Sequence, residues 1–235
     1  MASKKNVNTV SYGNPPQTLK DHPFYGFELD DDQKAFRDAI WNQDKLIVFA
    51  NAKAGTGKTL IAVATANLLV QYGRYDGIVY ISSPTQEAKL GFLPGEIADK
   101  VAVYSEPLLE ALIKLNINPN TAVNQVSIEN QKNGTGYIDA ISHVYLRGCN
   151  FENKVVIVDE AQNSYTDELK KTLTRMSDSC KVIVIGHSGQ IDLYHNPENS
   201  GFVRYLNHFK DDDRTAVCEL KTNHRGWISS HADEL

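Results

Sequence analysis

The sequence predicts an α/β domain in which a mainly parallel sheet is flanked by helices. Three observations carry that expectation. Short apolar runs alternate with longer segments of helical spacing, the order of successive β–α–β units. The first run, Lys45 to Ala50, feeds a glycine-containing loop that opens into an Ala- and Leu-rich helical run, Leu60 to Gln71. Another, Lys154 to Val158, ends in the adjacent acids Asp159 and Glu160. Ligands of parallel α/β sheets bind beyond the C-terminal ends of the strands, where such loops and acids stand.

Length and composition set the frame. The chain has 235 residues, 41% of them hydrophobic, which suits one large globular domain. A net charge of −5 announces no global field for nucleic acid. Cys149, Cys180 and Cys218 lie far apart and read as reduced, mostly buried thiols. No apolar run reaches membrane-span length, and Met1 to Asn8 lacks the apolar core of a signal peptide, so a cytoplasmic protein with no membrane contact is expected.

Taken in order, residues 1–22 are polar, contain Asn14-Pro15-Pro16, and read as a flexible arm ahead of a single domain over 23–235. Glu28 to Asn42 is a helix, with Leu29, Phe36, Ile40 and Trp41 on one face and Asp30 to Asp32 in its first turn. Gln33 has two readings: an amide that holds an adenine edge, as a Gln upstream of such loops does in some nucleotide-driven motors, or a solvated helix residue.

The loop follows: Ala52, Lys53, Ala54, Gly55, Thr56, Gly57, Lys58 and Thr59. It matches the phosphate-loop pattern GxxxxGKT except that Ala52 replaces the first glycine, which suits a negative φ. Gly55 and Gly57 let the backbone turn tightly and approach phosphate oxygens. The N–H groups and the next helix's N-terminus supply positive charge, Lys58 reaches the β- and γ-phosphates, and Thr59 offers a hydroxyl to Mg2+. ATP and Mg2+ are therefore the expected ligands, and the fold is expected to be a P-loop NTPase.

Ile78 to Ser82 is a buried strand. Gly91 to Gly95 is a turn with an apolar tip, read as a packed loop or a surface for a neighbouring subunit or substrate. Glu96 to Leu115 is helical with a break near Pro107, Asn116 to Tyr137 is a polar insertion, and His143 to Leu146 is a short strand or turn. After the strand ending at Val158, Asp159 suits a hydrated Mg2+ and Glu160 suits a general base on the attacking water. Thr166 to Met176 is a helix capped by Thr166 or Asp167. Lys181 to Ile185 is the next strand, and Gln190 beyond it is placed for a γ-phosphate or its water. Gly201 to Phe209 is a helix, Thr215 to Leu220 the last strand, and Asn223 to Gly226 opens a terminal helix.

Several blocks together resemble one family: NAKAGTGKT, LGFLPG with Lys100 after it, YLRG ending at Gly148, VIVDEAQN from Val156 to Asn163, LTR from Leu173 to Arg175, and GHSGQIDL. The chain is similar to PhoH-family P-loop ATPases over roughly residues 25–230, in a short, single-domain form like those carried by bacteriophages. That resemblance implies a core related to superfamily 1 helicases, which also tolerate Ala at the start of the loop. It implies phosphate and Mg2+ on Lys58 and Thr59, metal on Asp159, Glu160 as base and Gln190 as γ-phosphate sensor. It also implies rings, commonly hexameric, with an arginine completing a neighbour's site; Arg147, Arg175 and Arg225 stand in matching blocks. Two departures stand out: His187 where the family has Asp, and Ser83 where many members have Arg.

The expected activity is ATP hydrolysis in a ring, coupled by analogy to RNA or other single-stranded nucleic acid. The Lys170-Lys171 pair is too small for a basic patch. The alternative is a nucleotide-dependent assembly or switch protein with incidental hydrolysis, motivated by His187. A small-molecule kinase is disfavoured, because no acceptor pocket is legible.

Overall fold

The structure is a computed structural model, and it describes residues 13–82, 105–126, 128–146, 148–191 and 200–232. Among the described residues six strands form one sheet: β1 (Ile47–Ala52), β2 (Ile78–Ser82), β3 (Ile138–Ser142), β4 (Val155–Val158), β5 (Lys181–Gly186) and β6 (Thr215–Leu220). Their order is β3-β2-β4-β5-β1-β6, and every pairing is parallel. The helices are α1 (Asp31–Trp41), α2 (Lys58–Gln71), α3 (Glu106–Lys114), α4 (Pro119–Ala122), α5 (Ile128–Asn133), α6 (Thr166–Leu173), α7 (Gly201–Phe209) and α8 (Trp227–Ala232).

The strand pleat explains why both faces need cover. Val48, Ala50, Ile78, Tyr80, Ile157 and Ile183 point to the face packed by α1, α2 and α3. Phe49, Val79, Ile81, Val156, Val158 and Val184 point to the other, against residues of α6 and α7. Successive residues alternate faces, so strands apolar throughout must lie between two helical layers. The stretch Ile61 to Val70 of α2, apolar but for Thr65 and Asn67, is buried at every residue. It has no solvent-facing side because it runs between the sheet and the outer helices α1 and α3.

Some element bounds differ from the expectation and others are narrowed. The polar stretch 116–137 holds α4 and α5, and the strand β3 follows it directly. The sequence reading missed β3 because it is short and interrupted by Asp139, which accepts 2.8 Å from Asn124 Nδ2; as an edge strand it tolerates that residue. Of the two readings of His143 to Leu146, strand or turn, the structure shows the turn, a single 3-10 one. Pro107 stands in the first turn of α3, which begins at Glu106, as suits its missing N–H and in keeping with the break expected there; residues 96–104 lie outside the described residues. In addition, Tyr165 rather than Thr166 caps α6, its N–H donating 2.8 Å to the Glu168 carboxylate. The LGFLPG block, Ser83 and Arg147 lie outside the described residues.

Residues 13–22, expected within an arm, pack on the domain. Leu19 is fully buried, and the Pro16 carbonyl accepts from Trp41 Nε1 at 3.1 Å and from Arg74 at 3.2 Å. The Arg74 guanidinium stacks 4.0 Å from the Trp41 ring centroid. None of the three cysteines is in a disulfide; Cys180 is buried and the other two are half-buried. No helix among the described residues is long and apolar enough to cross a membrane.

Lys181 opens β5 and is buried, its ammonium donating to the carbonyls of Asn42, at 2.6 Å, and Lys45. Burial, and then Arg74 nearby, lower its pKa from 10.5 to about 8. The native state therefore gives up this proton before the unfolded chain does. Lys181 costs stability below pH 8, and the cost fades as pH rises from there towards 10.5. The stability of the native chain relative to Lys181→Met is expected to rise by about 1 kcal/mol between pH 7 and pH 9 in urea unfolding. A difference that stays flat across that window would show an ammonium with an ordinary pKa.

Candidate active site

β1 delivers the glycine loop. Ala52 is the last residue of that strand, paired with Leu220 of β6, and has no positive φ, so the missing first glycine costs nothing. Gly55 and Gly57 have φ of +77° and +79°, the left-handed region where a side chain is strained. Gly55 is doubly required: a Cβ there would lie 2.4 Å from Asn223 Oδ1. Three loop carbonyls are tied by the protein. Lys53 O accepts from Thr56 Oγ1 at 3.0 Å, Gly55 O from the His224 N–H at 2.8 Å, and Thr56 O from Gln33 Nε2 at 2.9 Å. Those bonds fix the shape of the loop ahead of α2, and a helix N-terminus reached through such a loop is a place for an anion.

Beside the loop is a cavity of about 430 Å³. Gly55, Gly57, Lys58 and Thr59 line one part, Gln33 and Arg225 flank it, and Phe27, Leu29 and Ala111 give it an apolar side. A polar anion end joined to an apolar end fits a nucleotide, phosphates on the loop and base on the apolar side.

The acids come from β4, two strands away from β1 in the sheet. Asp159 is 2% exposed. Its Oδ2 accepts from Thr59 Oγ1 at 2.9 Å and from the Tyr80 hydroxyl at 2.6 Å, and its Oδ1 accepts from the Glu160 N–H at 2.8 Å. Burial and the neighbouring Glu160 carboxylate push its pKa up, while Tyr80, Lys58 and Thr59 pull it back. Glu160 has φ +51°, and its carboxylate faces Lys58 Nζ at 3.5 Å and accepts from Gln162 Nε2 at 2.6 Å.

The donor set suits Mg2+. Two adjacent carboxylates crowd negative charge into a buried spot beside a hydroxyl, all hard oxygen donors. No group of three or more His, Cys, Asp or Glu able to hold a metal occurs among the described residues.

Residues 28–226 match the family described as PhoH-like protein. The chain is 34% identical over 182 residues to protein PhoH of Escherichia coli K12, covering 76% of this chain and 49% of that protein. It is 36% identical over 163 residues to a PhoH-like protein of Mycobacterium leprae, covering 68% and 44%. The chain belongs to the PhoH family. It spans about half the length of these relatives. Among solved structures it is similar to the large terminase of bacteriophage HK97, with a TM-score of 0.50 at 11% identity, over 88% of this chain and 42% of that one. At that identity the likeness speaks for the fold alone, a P-loop NTPase α/β architecture.

Within this PhoH-family domain, the structure brings Gln33, the loop, Lys58, Thr59, Asp159, Glu160 and Arg225 to one mouth. Gln33 is not a solvated residue: it is buried, its Oε1 accepts from the Asp30 N–H at 3.2 Å, and its amide braces the loop. Lys53 is exposed at the loop's outer side and Ala54 is half-buried. Gln190 follows β5 on the same sheet edge and is exposed. Its loop is anchored where the Ser188 N–H donates 3.0 Å to Asn51 Oδ1. His187 is half-buried, with its ring against Gly189. Arg175 lies elsewhere: it follows α6 and accepts from the Phe151 N–H, at the N-terminal edge of the sheet. Lys170 and Lys171 are exposed on α6.

Sequence reasoning missed Tyr80, Gln162, Asn223 and His224. Gln162 stood inside the quoted VIVDEAQN block, two residues beyond Glu160, and was legible there. Tyr80 carried no signal, because a Tyr in an apolar strand reads as core. Asn223 and His224 were seen only as a helix start; His224 Nε2 pairs with Asp30 Oδ2 at 2.9 Å, fastening the chain after β6 across the loop.

Proposed function

We propose that this chain binds ATP with Mg2+ and hydrolyses it, acting as a ring oligomer, hexameric as in the family, coupled to RNA or another single-stranded nucleic acid. One observation carries the hydrolytic reading. The loop pair Lys58–Thr59 meets the strand-end pair Asp159–Glu160 through a 3.5 Å ion pair and a 2.9 Å hydrogen bond. A phosphate-holding group, a metal-holding group and a base thus share one mouth.

The roles follow from position. The loop N–H groups and Lys58 hold the phosphates, and Gln33 and the apolar side of the cavity take the base. Thr59 and Asp159 hold Mg2+, which when bound neutralises charge across the phosphate oxygens. Glu160, at the mouth and half-exposed, takes the proton of the attacking water. Gln190 orients that water or contacts the γ-phosphate. Arg225 lines this chain's own cavity, so it serves in cis, with its guanidinium compensating charge on the transferring phosphoryl group. Arg175, at the opposite sheet edge, reaches a nucleotide only from a neighbouring copy. Arg147 is retained as a further candidate in trans.

The test is phosphate release from ATP with and without Mg2+, alongside the mass of the assembly with a non-hydrolysable ATP analogue. Expected are Mg2+-dependent release and a nucleotide-dependent ring. Added RNA should raise the rate, and rising salt should erase that gain. ATP-driven assembly without Mg2+-dependent release would favour the switch reading, which His187 in place of an acid motivates. Neither binding nor release would overturn both.

A further inference from the structure

Gln162 is 2% exposed, and both ends of its amide are spent on the site. Its Nε2 donates 2.6 Å to Glu160 Oε2. Its Oε1 accepts 3.1 Å from the N–H of His187, the first residue beyond β5. Its own carbonyl accepts 2.9 Å from Ser200 Oγ at the start of α7, which pins the backbone beneath the amide. The fit is tight: a Cβ on Gly186 would lie 2.8 Å from Gln162 Oε1 and 3.1 Å from the Gln162 nitrogen. Glu160 itself leaves the β4 end with a positive φ, so its side-chain direction is not set by regular secondary structure.

We infer that Gln162 is a positioning residue that couples the Glu160 carboxylate to the loop from His187 to Gln190. The amide is a rigid two-ended group, donor at one end and acceptor at the other. A shift of the His187 backbone therefore moves the amide, and with it the carboxylate. Placement of Gln190 against a γ-phosphate and placement of the base on its water become one event. The coupling rests on the hydrolytic reading above only for its purpose; the bridge is a property of the protein without nucleotide.

Two variants separate the ends. Gln162→Glu keeps size and the acceptor for His187 but sets a second carboxylate against Glu160. Gln162→Met keeps bulk and loses both bonds. Both are expected to lower kcat about 100-fold, the scale of a catalytic group misplaced by an ångström, with affinity for a non-hydrolysable ATP analogue unchanged. Hydrogen exchange at the His187 amide should stay slow in Gln162→Glu and quicken in Gln162→Met. A third measurement needs no hydrolysis: Glu160→Met frees the far end of the amide, so exchange at His187 should quicken several-fold. Full kcat in Gln162→Glu, or unchanged His187 exchange in Glu160→Met, would overturn the coupling. A wild-type protein without ATPase activity would instead overturn the hydrolytic reading, and the His187 exchange would still decide the bridge.

Discussion

Lys58→Ala is expected to weaken ATP binding about 100-fold or more, the loss of a charge-assisted phosphate contact worth about 3 kcal/mol. The expectation is larger than for a surface lysine because of what Lys58 faces. Its ammonium stands 3.5 Å from Glu160 and lowers the pKa of the buried Asp159. Without it, two adjacent carboxylates confront incoming phosphates with no neighbouring lysine between them. The fold should survive, since the side chain sits at the rim of the cavity rather than in the core. Calorimetric titration with a non-hydrolysable analogue checks this, and native affinity in the variant would remove the loop from the nucleotide site.

Glu160→Gln is expected to slow hydrolysis by about two to four orders of magnitude, the usual range for losing a general base, and to leave ATP binding intact. Gln is the same size, and its amide oxygen still accepts from Gln162 Nε2. The proton-accepting charge is lost, and with it the ion pair to Lys58, which keeps its place on the phosphates. Single-turnover phosphate release measures the effect, and an unchanged rate would take Glu160 out of the role. The pair of variants also separates the two readings of function. An ATPase needs both residues, whereas a nucleotide switch fails with Lys58→Ala and works with Glu160→Gln.

Much of the site was legible because its chemistry is local. Ala52 to Thr59 is a contiguous loop between a strand and a helix, and its glycines announce the positive φ angles that the structure shows at Gly55 and Gly57. Asp159 and Glu160 follow an unbroken apolar strand, so the pattern alone placed them at its C-terminal end. Five of the six strands announced themselves the same way. β3 did not, because an edge strand need not be apolar throughout, and Asp139 hid it.

What the residues could not show was which distant groups close the site. Tyr80 and Thr59 converge on one oxygen of Asp159, yet they lie 79 and 100 residues away from it in the chain. Gln33 offered two readings from sequence; its burial removes the solvated one, and the structure shows its amide bonded to the loop carbonyl of Thr56. Arg225 and Arg175 read alike as arginines in family blocks; the sheet puts the first beside the loop and the second at the far edge.

The chain's own order of residues thus pointed to the family and the α/β class, and singled out the loop Ala52 to Thr59 and the pair Asp159–Glu160 as candidates. Each rests on neighbours in sequence, where backbone periodicity and steric freedom act directly. Only the tertiary structure decided the sheet order β3-β2-β4-β5-β1-β6, the Tyr80 and Gln162 contacts, and the side of the molecule each arginine occupies. Those depend on how helices cross over between parallel strands, and contacts between residues that far apart leave no periodic trace in a single sequence.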